Sequence, residues 1–273
     1  MRLTWLFGDA MQAVFRPPWP NFAICSWLEM ESDLAHYFDA IDDTWPAARC
    51  LRQGLWTIRD GAGGGKRVSA ATLADARSAM DIAQAEAAMA ELDQQFLFMV
   101  REDQAPLDDC LENAGYVIVD PVNIYSAPVD LIAKDAPPRL SAFDLWPPLA
   151  IQKDIWAAGG IGPSRLAVMA RAKGPKTALF GRQDGRPAAT GFVAISKRIA
   201  MVHALEVLPD FRRRGVGRNL TCHAAHWARS NGAHSIAVLC TEANEAANAL
   251  YTAMGFERLG GYHYRRLEKA ATL

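Results

Sequence analysis

The chain has 273 residues, of which 51% are hydrophobic and 22% charged, and this composition is typical of a globular protein rather than a disordered one. Its 29 basic and 30 acidic residues nearly cancel, so no overall charge attracts nucleic acid or an anionic membrane. Five scattered cysteines without a C-x-x-C pair predict reduced thiols and a cytoplasmic location. The N-terminal apolar run breaks at Gly8, which makes it a poor signal peptide, and no apolar stretch approaches the ~20 residues of a membrane span.

The first half of the chain predicts a hairpin, a helix, a strand, a helix and a strand pair. LWTIRDGAGGGKRVSAATL, at 55–73, has the pattern of the hairpin, with KRVSAATL as its second strand. Residues 74–92 are rich in alanine and predict a helix, and QFLFMV, at 95–100, predicts a buried strand. The last helix and strand pair are expected within 107–126. The loop GAGGGKR, at 61–67, lacks the G-K-[ST] ending of a P-loop, so we expect a flexible hairpin loop there.

A proline-rich segment separates the two halves. Residues 133–148, AKDAPPRLSAFDLWPP, contain four prolines and little periodicity, which is typical of a linker. The sequence therefore predicts two domains, 1–132 and 139–273.

The second half gives a clearer pattern. It predicts two short helices within 146–171, a hairpin whose turn is QDGR, a third strand at 200–208, and a helix over 215–231 that Gly232 ends. A buried strand HSIAVLC, a short helix over 244–254 stopped by Gly255, and a final strand YHYRRL follow. This order of elements predicts an α/β layer arrangement.

A basic, glycine-containing segment opens the long helix of the second half. After the strand that ends at Val207, the sequence R-x-x-G-x-G covers Arg212 to Gly217. Helix N-termini bind phosphate through unpaired N–H groups, glycines allow a close approach, and arginines add charge-assisted hydrogen bonds. The first turn of a helix prefers acidic residues, so a merely basic helix start is the weaker interpretation. An RNA-binding use of these arginines is also weak, because few aromatic residues lie between the basic ones.

Two ordered motifs resemble the GNAT N-acetyltransferase family over residues 140–268. They are EVLPDFRRRGVG, at 206–217, and NEAANALYTAMGF, at 244–256. The resemblance implies a mixed, mostly antiparallel central sheet flanked by helices, acetyl-CoA as the acyl donor, and no metal. It also implies that the N–H groups from Arg213 to Arg218 hold the pyrophosphate of acetyl-CoA. The residues expected to contact the cofactor are Leu205, Val207, Arg212, Arg213, Arg214, Gly215, Val216, Gly217, Arg218, Asn244 and Asn248.

The resemblance also implies catalytic roles. Tyr251 is expected to protonate the departing thiolate, although a buried structural tyrosine is the alternative. His203 and Glu206 are the candidate bases, and strand alternation places them on opposite faces unless the strand is bulged. A structural role for His203 stays open. The backbone N–H of Val207 is the expected oxyanion donor, and a metal shared by His223 and His226 is not expected, because no third ligand is near in sequence.

The two halves also resemble each other. LDDCLENAGYVIVDPVNIYS aligns with NALYTAMGFERLGGYHYRR, so we expect two copies of the fold in tandem. The first copy carries Leu111 where the second carries Tyr251 and is expected to have lost its cofactor, leaving it as a lid or a dimer surface. The expected activity is acetyl-CoA-dependent transfer to the amine of a small molecule or peptide, and the alternative is a non-catalytic acyl-CoA sensor. The expected acceptor site combines AAGGIGPSRLAV, at 157–168, with the first half; a homodimer is compatible with this arrangement, and neither nucleic acid nor a membrane is an expected partner.

Overall fold

The computed structural model describes residues 34–74 and 80–267, which form helices and strands in both halves of the chain. The strands are β1 (Arg49–Gln53), β2 (Trp56–Asp60), β3 (Thr72–Leu73), β4 (Leu97–Arg101), β5 (Tyr116–Pro128), β6 (Ala142–Leu145), β7 (Lys176–Gln183), β8 (Arg186–Ser196), β9 (Ile199–Val207), β10 (Ser235–Thr241) and β11 (Glu257–Leu267). The α-helices are α1 (34–44), α2 (Ile82–Glu91), α3 (Ala105–Asn113), α4 (Val129–Ile132), α5 (Ala150–Ala158), α6 (Pro163–Arg171), α7 (Val216–Ser230) and α8 (Glu245–Ala253).

The elements predicted for the second half are confirmed. The two short helices are α5 and α6, the hairpin is β7 and β8, and the third strand is β9. Gly232 follows α7 with φ 82° and Gly255 follows α8 with φ 89°, so both helices end on a glycine in the left-handed region, as expected. The final strand, β11, begins earlier than predicted because its first residues pair with β5.

The predicted linker is wrong in part, because β6 lies inside it. Residues 142–145 pair antiparallel with β7 at the edge of the sheet. An edge strand of four residues gives too short a pattern for sequence analysis to recognise among prolines.

The first half agrees with the prediction less closely. β2 and β3 pair antiparallel as the expected hairpin, but the strand expected from Lys66 begins only at Thr72, because Lys66–Val68 form a 3-10 helix. Helix α1 and strand β1 were not predicted. The strand pair expected before residue 126 is one long strand, β5, in which Asp120 adopts φ 47° and the pairing with β11 shifts register.

One mixed sheet contains strands from both halves. Its eight strands lie in the order β4-β11-β5-β10-β9-β8-β7-β6, and β9 with β10 is the parallel pair within it. β5 of the first half lies between β11 and β10, and β11 of the second half lies between β4 and β5. The two halves therefore share this sheet, and each inserts one strand between two strands of the other.

The exchanged strands support the predicted tandem repeat. In each half a helix of 9 residues, α3 or α8, leads through a glycine with positive φ into a long strand, β5 or β11. β3 approaches β4 through a parallel bridge at Ala71 and Phe98, as β9 pairs parallel with β10. The two copies have the same order of elements around α2 and α7.

We expect the segment 139–273 alone to aggregate or to remain unfolded. Without β5, the edges of β10 and β11 would be left unpaired, and the apolar residues packed against residues 34–132 would be exposed. Size-exclusion chromatography and circular dichroism of this segment test the expectation, with the full chain as the control. A monomeric, cooperatively unfolding segment would show that the second half folds independently.

The two faces of the sheet carry different layers. On one face α7 and α8 pack on a core that includes Val202, Val216 and Tyr251. On the other face α1, α5 and α6 cover residues that include Met201 and Phe192. The site described below lies where the sheet opens between these two layers.

Candidate active site

Strand β9 is bulged in its middle. Phe192 of β8 pairs with His203, and Thr190 pairs with Glu206, so two residues of β8 span three of β9. Ala204 adopts φ 50° at this point, and its carbonyl accepts a hydrogen bond of 2.8 Å from the indole Nε1 of Trp156. Because positions 190 and 192 share a face of β8, the bulge brings His203 and Glu206 onto one face of β9.

The sheet opens beside this bulge. β9 and β10 pair only from Ile199 to Val202, although both strands continue further. The N–H of Leu208 donates to the carbonyl of Ala188 over 2.9 Å. By the alternation of antiparallel pairing, the N–H groups of Leu205 and Val207 then point away from β8 and into the opening.

The N-terminus of α7 presents unpaired backbone donors. Within the described residues, no carbonyl or side chain accepts a hydrogen bond from the N–H groups of residues 213–218. Arg213 and Gly215 adopt φ 59° and 79°, which turns successive N–H groups to one side. A Cβ added at Gly215 would have no heavy atom within 4 Å, so the backbone is not covered at this residue. Six donors and the positive end of a 15-residue helix form an anion site.

The arginines of this loop differ in their contacts. Arg212 donates to the carbonyl of Val207 over 3.0 Å, and it also bonds the carboxylate of Glu206. Arg214 pairs with Asp184 at 2.6 Å and Arg218 with Asp135 at 3.1 Å. Arg213 has no carboxylate partner in the part of the chain that the structure describes, so its charge is available to an anion.

The hydroxyl of Tyr251 is held in a buried environment on α8. The side chain is only 6% exposed, and its ring packs on those of Tyr125 and Phe256 at centroid distances of 6.3 and 5.6 Å. Burial, and next the neighbouring Cys240, raise the pKa of Tyr251 well above its ordinary value. The phenol is therefore protonated throughout the neutral range and can donate a proton.

Asn244 and Asn248 stabilise the start of α8. The side chain of Asn244 caps the helix by accepting from the N–H of Ala247 over 3.1 Å. Asn248 accepts from the hydroxyl of Tyr125 over 2.9 Å and donates to the carbonyl of Thr241 over 2.9 Å. Both amides already have partners within the chain, and their predicted contact with the cofactor stays a prediction.

His203 is buried and has both ring nitrogens in hydrogen bonds. Its Nε2 lies 2.9 Å from Oγ1 of Thr44, which itself donates to the carbonyl of Ala40, so Nε2 carries the proton. Its Nδ1 then accepts from Nη1 of Arg67 over 3.2 Å. Burial and the charge of Arg67 hold the pKa of His203 well below 6.5. The imidazole is neutral, and its lone pair is already engaged.

Glu206 has free acceptor capacity beside the opening. Its side chain is 21% exposed, and one of its oxygens, Oε1, lies 3.2 Å from Nη2 of Arg212. The other oxygen faces the connection between α5 and α6 at Gly159. A carboxylate accepts about four hydrogen bonds, so this single described partner leaves room for an amine.

A cavity of about 260 Å³ lies on the same side of the sheet as His203. Ala204 and Thr241, at the opening between β9 and β10, are among its lining residues. Both halves of the chain line the cavity: Trp45, Gly64, Gly65, Lys66, Arg67, Asp120 and Val122 from the first, and Ile161, Arg165, His203, Tyr262 and Tyr264 from the second. Ile161 and Arg165 lie within the segment expected to form an acceptor site.

Sequence analysis missed most of these lining residues. It treated the loop 61–67 as a flexible hairpin loop, and the structure places its second part in the cavity wall. Tyr262 and Tyr264 belonged to the predicted final strand, and only their spacing of two residues signals a shared face. The lining comes from segments far apart in sequence, and no local pattern records that.

The helix of the first half that corresponds to α7 has a different N-terminus. Asp81 caps α2 by accepting from the N–H of Gln84 over 3.2 Å. A carboxylate here repels an anion and uses a donor that the second half leaves free. Leu111, the counterpart of Tyr251, is fully buried in the apolar core. Both features support the predicted loss of a cofactor site in this half.

The remaining candidate groups have protein partners. His223 bonds Asp144 over 2.9 Å, and His226 contacts the carbonyl of Asp135. Within the described residues, no group of three potential ligands could hold a metal, and no helix is long and apolar enough to cross a membrane. The four described cysteines are free thiols; the fifth, Cys25, lies outside the described residues.

Comparison with known proteins agrees with this geometry. Residues 147–256 match the model of the acetyltransferase (GNAT) family. A GCN5-related N-acetyltransferase from Kribbella flavida superposes with a TM-score of 0.67 at 20% identity, over 87% of this chain and 96% of its own. A conserved protein of unknown function from Staphylococcus epidermidis has a TM-score of 0.60 at 11% identity, over 84% and 97% of the two chains. No curated protein sequence matches the chain.

A third structure bears on the repeat. A tandem GNAT protein from the clavulanic acid biosynthesis pathway superposes with a TM-score of 0.56 at 14% identity, over 80% of this chain and 79% of its own. The predicted fold class, a mixed and mostly antiparallel sheet flanked by helices, is confirmed by the topology and by these likenesses. Residues 147–256 therefore carry the match to the GNAT family of acetyltransferases, and the chain that contains them has the GNAT fold.

Proposed function

We propose that the protein is an acetyl-CoA-dependent N-acetyltransferase that acetylates the amine of a small molecule or a peptide. The proposal rests on the arrangement of three features. Six free N–H groups at the start of α7 lie on one face of the sheet, the N–H groups of Leu205 and Val207 point into the opening of the sheet, and a cavity lies on the opposite face. A long, phosphate-headed thioester fits such an arrangement.

The residues present fit acetyl-CoA. The N–H groups of residues 213–218 and the side chain of Arg213 would hold its pyrophosphate, which carries the charge that a helix N-terminus favours. When bound, acetyl-CoA supplies the acetyl group as a thioester. The N–H of Val207 is placed to stabilise negative charge on the acetyl oxygen, since it points into the opening without a strand partner.

Proton transfer is assigned to two side chains. Tyr251 would supply the proton that the departing thiolate requires, because burial keeps its hydroxyl protonated. Of the two predicted bases, the hydrogen bonds favour Glu206, since the lone pair of His203 is taken by Arg67 and its pKa is depressed. His203 then has a structural role, in which it joins α1 to the loop that follows β2.

The proposed function is tested by supplying acetyl-CoA with a panel of amines and measuring the release of the coenzyme A thiol. We expect Glu206→Gln to lower kcat/KM by ~10²- to 10⁴-fold, the usual contribution of a positioned base. His203→Gln is the matched control, because glutamine can also donate and accept a hydrogen bond, and its kcat/KM should fall much less.

Two outcomes would contradict this assignment. A large loss of kcat/KM in His203→Gln that Glu206→Gln does not show would make the histidine the base. A wild-type protein that binds acetyl-CoA tightly and acetylates no amine would instead be an acyl-CoA sensor. Binding of acetyl-CoA by both variants, measured by calorimetry, separates loss of chemistry from loss of the fold.

A further inference from the structure

Among the described residues, two buried polar atoms at the cavity between the two halves have no hydrogen-bond partner of good geometry, although their side chains lie next to each other. They are Nε of Arg67 and the hydroxyl of Tyr262, and both residues line the cavity. Tyr262 is only 3% exposed. Leaving a buried donor unpaired costs about 1–3 kcal/mol, so such atoms call for a ligand or a functional reason.

The charged groups of the cavity are mainly cationic. Lys66, Arg67 and Arg165 face a single carboxylate, that of Asp120. Asp120 is already paired with Lys66 at 2.5 Å. His203, which touches Arg67, is neutral because its pKa is depressed. The positive charges of Arg67 and Arg165 therefore have no counter-charge among the described residues that line the cavity.

Gly65 leaves the space that the guanidinium of Arg165 occupies at the cavity. A Cβ added at Gly65 would lie 3.3 Å from Nε of Arg165, and Gly65 adopts φ 99°, which disfavours any other residue. The guanidinium thus lies directly against the loop that leads to Lys66 and Arg67. Two arginines, one on each half of the chain, face the same small volume.

The cavity also reaches the opening of the sheet. Ala204 and Thr241 line the cavity at this opening, Ala204 lies two and three residues before Glu206 and Val207, and Arg67 and Tyr262 line the same cavity. A molecule whose anionic group bonds Arg67 and Tyr262 would extend its other end toward the opening. A volume of about 260 Å³ accommodates a small molecule rather than a folded surface.

We propose that Arg67, Tyr262 and Arg165 bind the carboxylate of the acceptor, so that the acceptor is a small amino acid whose amine points to the opening between β9 and β10. This proposal deepens the proposed function and rests on it. A carboxylate accepts from the fixed donors of a guanidinium and from a phenol, and it would offset the unbalanced charge. A neutral amine without a carboxylate would leave the charges of Arg67 and Arg165 without a counter-charge in the cavity.

Matched substrates test the proposal. The L-amino acids, their methyl esters and their aminophosphonic analogues are compared as acceptors by kcat/KM. We expect at least one acid to exceed its ester by about 10- to 100-fold, the range of a charge-assisted hydrogen bond. Tyr262→Phe and Arg165→Met should each reduce this acid-to-ester ratio by about tenfold, and Arg67→Met should reduce it at least as much.

The variants are chosen so that folding does not obscure the result. Tyr262→Phe removes a hydroxyl that interacts only with its neighbours Arg67 and Tyr264 among the described residues, and it keeps the packing of the ring. Tyr116→Phe is the matched control, since its hydroxyl bonds Glu86 and does not line the cavity. The control should leave the acid-to-ester ratio unchanged.

Three results would overturn the carboxylate assignment while leaving the acetyltransferase intact. They are esters as good as acids, an equal or higher kcat/KM for the phosphonates, and an acid-to-ester ratio that Tyr262→Phe and Arg165→Met do not alter. If no amine is acetylated at all, the proposed function fails instead. Calorimetric binding of amino acids to the wild type, and its loss in Arg165→Met, then supports the site without any turnover, and no binding of amino acids overturns it.

Discussion

Arg213→Glu combined with Gly215→Asp is expected to abolish acetyl-CoA binding and to leave the fold intact. Both changes place negative charge among the six free N–H groups that would hold the pyrophosphate. Like charges brought together in a binding site cost several kcal/mol, so the affinity should fall by at least about 100-fold. Neither position is buried, and Asp is among the residues that tolerate the left-handed conformation of Gly215.

Calorimetry measures this loss, and the wild type should bind one acetyl-CoA per chain. Arg229→Glu is the control, because it reverses a charge in the last turn of the same helix, roughly 20 Å from the loop. That variant should bind normally. Unchanged affinity in the double variant would remove the cofactor assignment, and a stoichiometry of two would show that the first half also binds, despite the carboxylate that caps α2.

Local sequence patterns predicted the second half of the fold well. Its motifs lie on consecutive elements, and Gly215, Gly232 and Gly255 occupy positions whose positive φ explains why glycine stands there. The bulge in β9 was anticipated as the condition for His203 and Glu206 to share a face. The pairing of Phe192 with His203 and of Thr190 with Glu206 meets that condition.

The exchange of β5 and β11 could not be predicted in the same way. Strand pairing between residues more than 100 positions apart depends on which edge is available, and nothing in the pattern of either strand specifies the partner. The sequence repeat indicates that β5 and β11 are equivalent, but equivalent strands can pair within one copy of the fold or between the two copies. The predicted segments 1–132 and 139–273 consequently share one sheet.

The cavity was hidden from sequence analysis for a related reason. Arg67 and Tyr262 are 195 positions apart, and each has an ordinary local explanation, a loop cation and a strand aromatic. Only the fold brings the two side chains to the wall of one cavity. A cavity formed by tertiary contacts cannot be recognised from the sequence, whereas the loop before α7 can be, because its residues form a contiguous motif.

Tyr251→Phe is expected to separate catalysis from binding. The substitution keeps the ring packed on Tyr125 and Phe256 and removes only the hydroxyl. Acetyl-CoA affinity should change by no more than about 1 kcal/mol, the value of one hydrogen bond. Turnover should fall by ~10²- to 10⁴-fold, because the departing thiolate loses its positioned acid.

The pH dependence gives this prediction a second readout. A general acid must be protonated to act, and burial raises the pKa of Tyr251 above the ordinary tyrosine value of ~10. The wild-type rate should therefore show no loss from this group up to about pH 10. In Tyr251→Phe any basic limb above that value should disappear. Full turnover in this variant, with a good amine substrate, would show that the proton comes from water or from the substrate's own ammonium, and Tyr251 would then be a buried structural tyrosine.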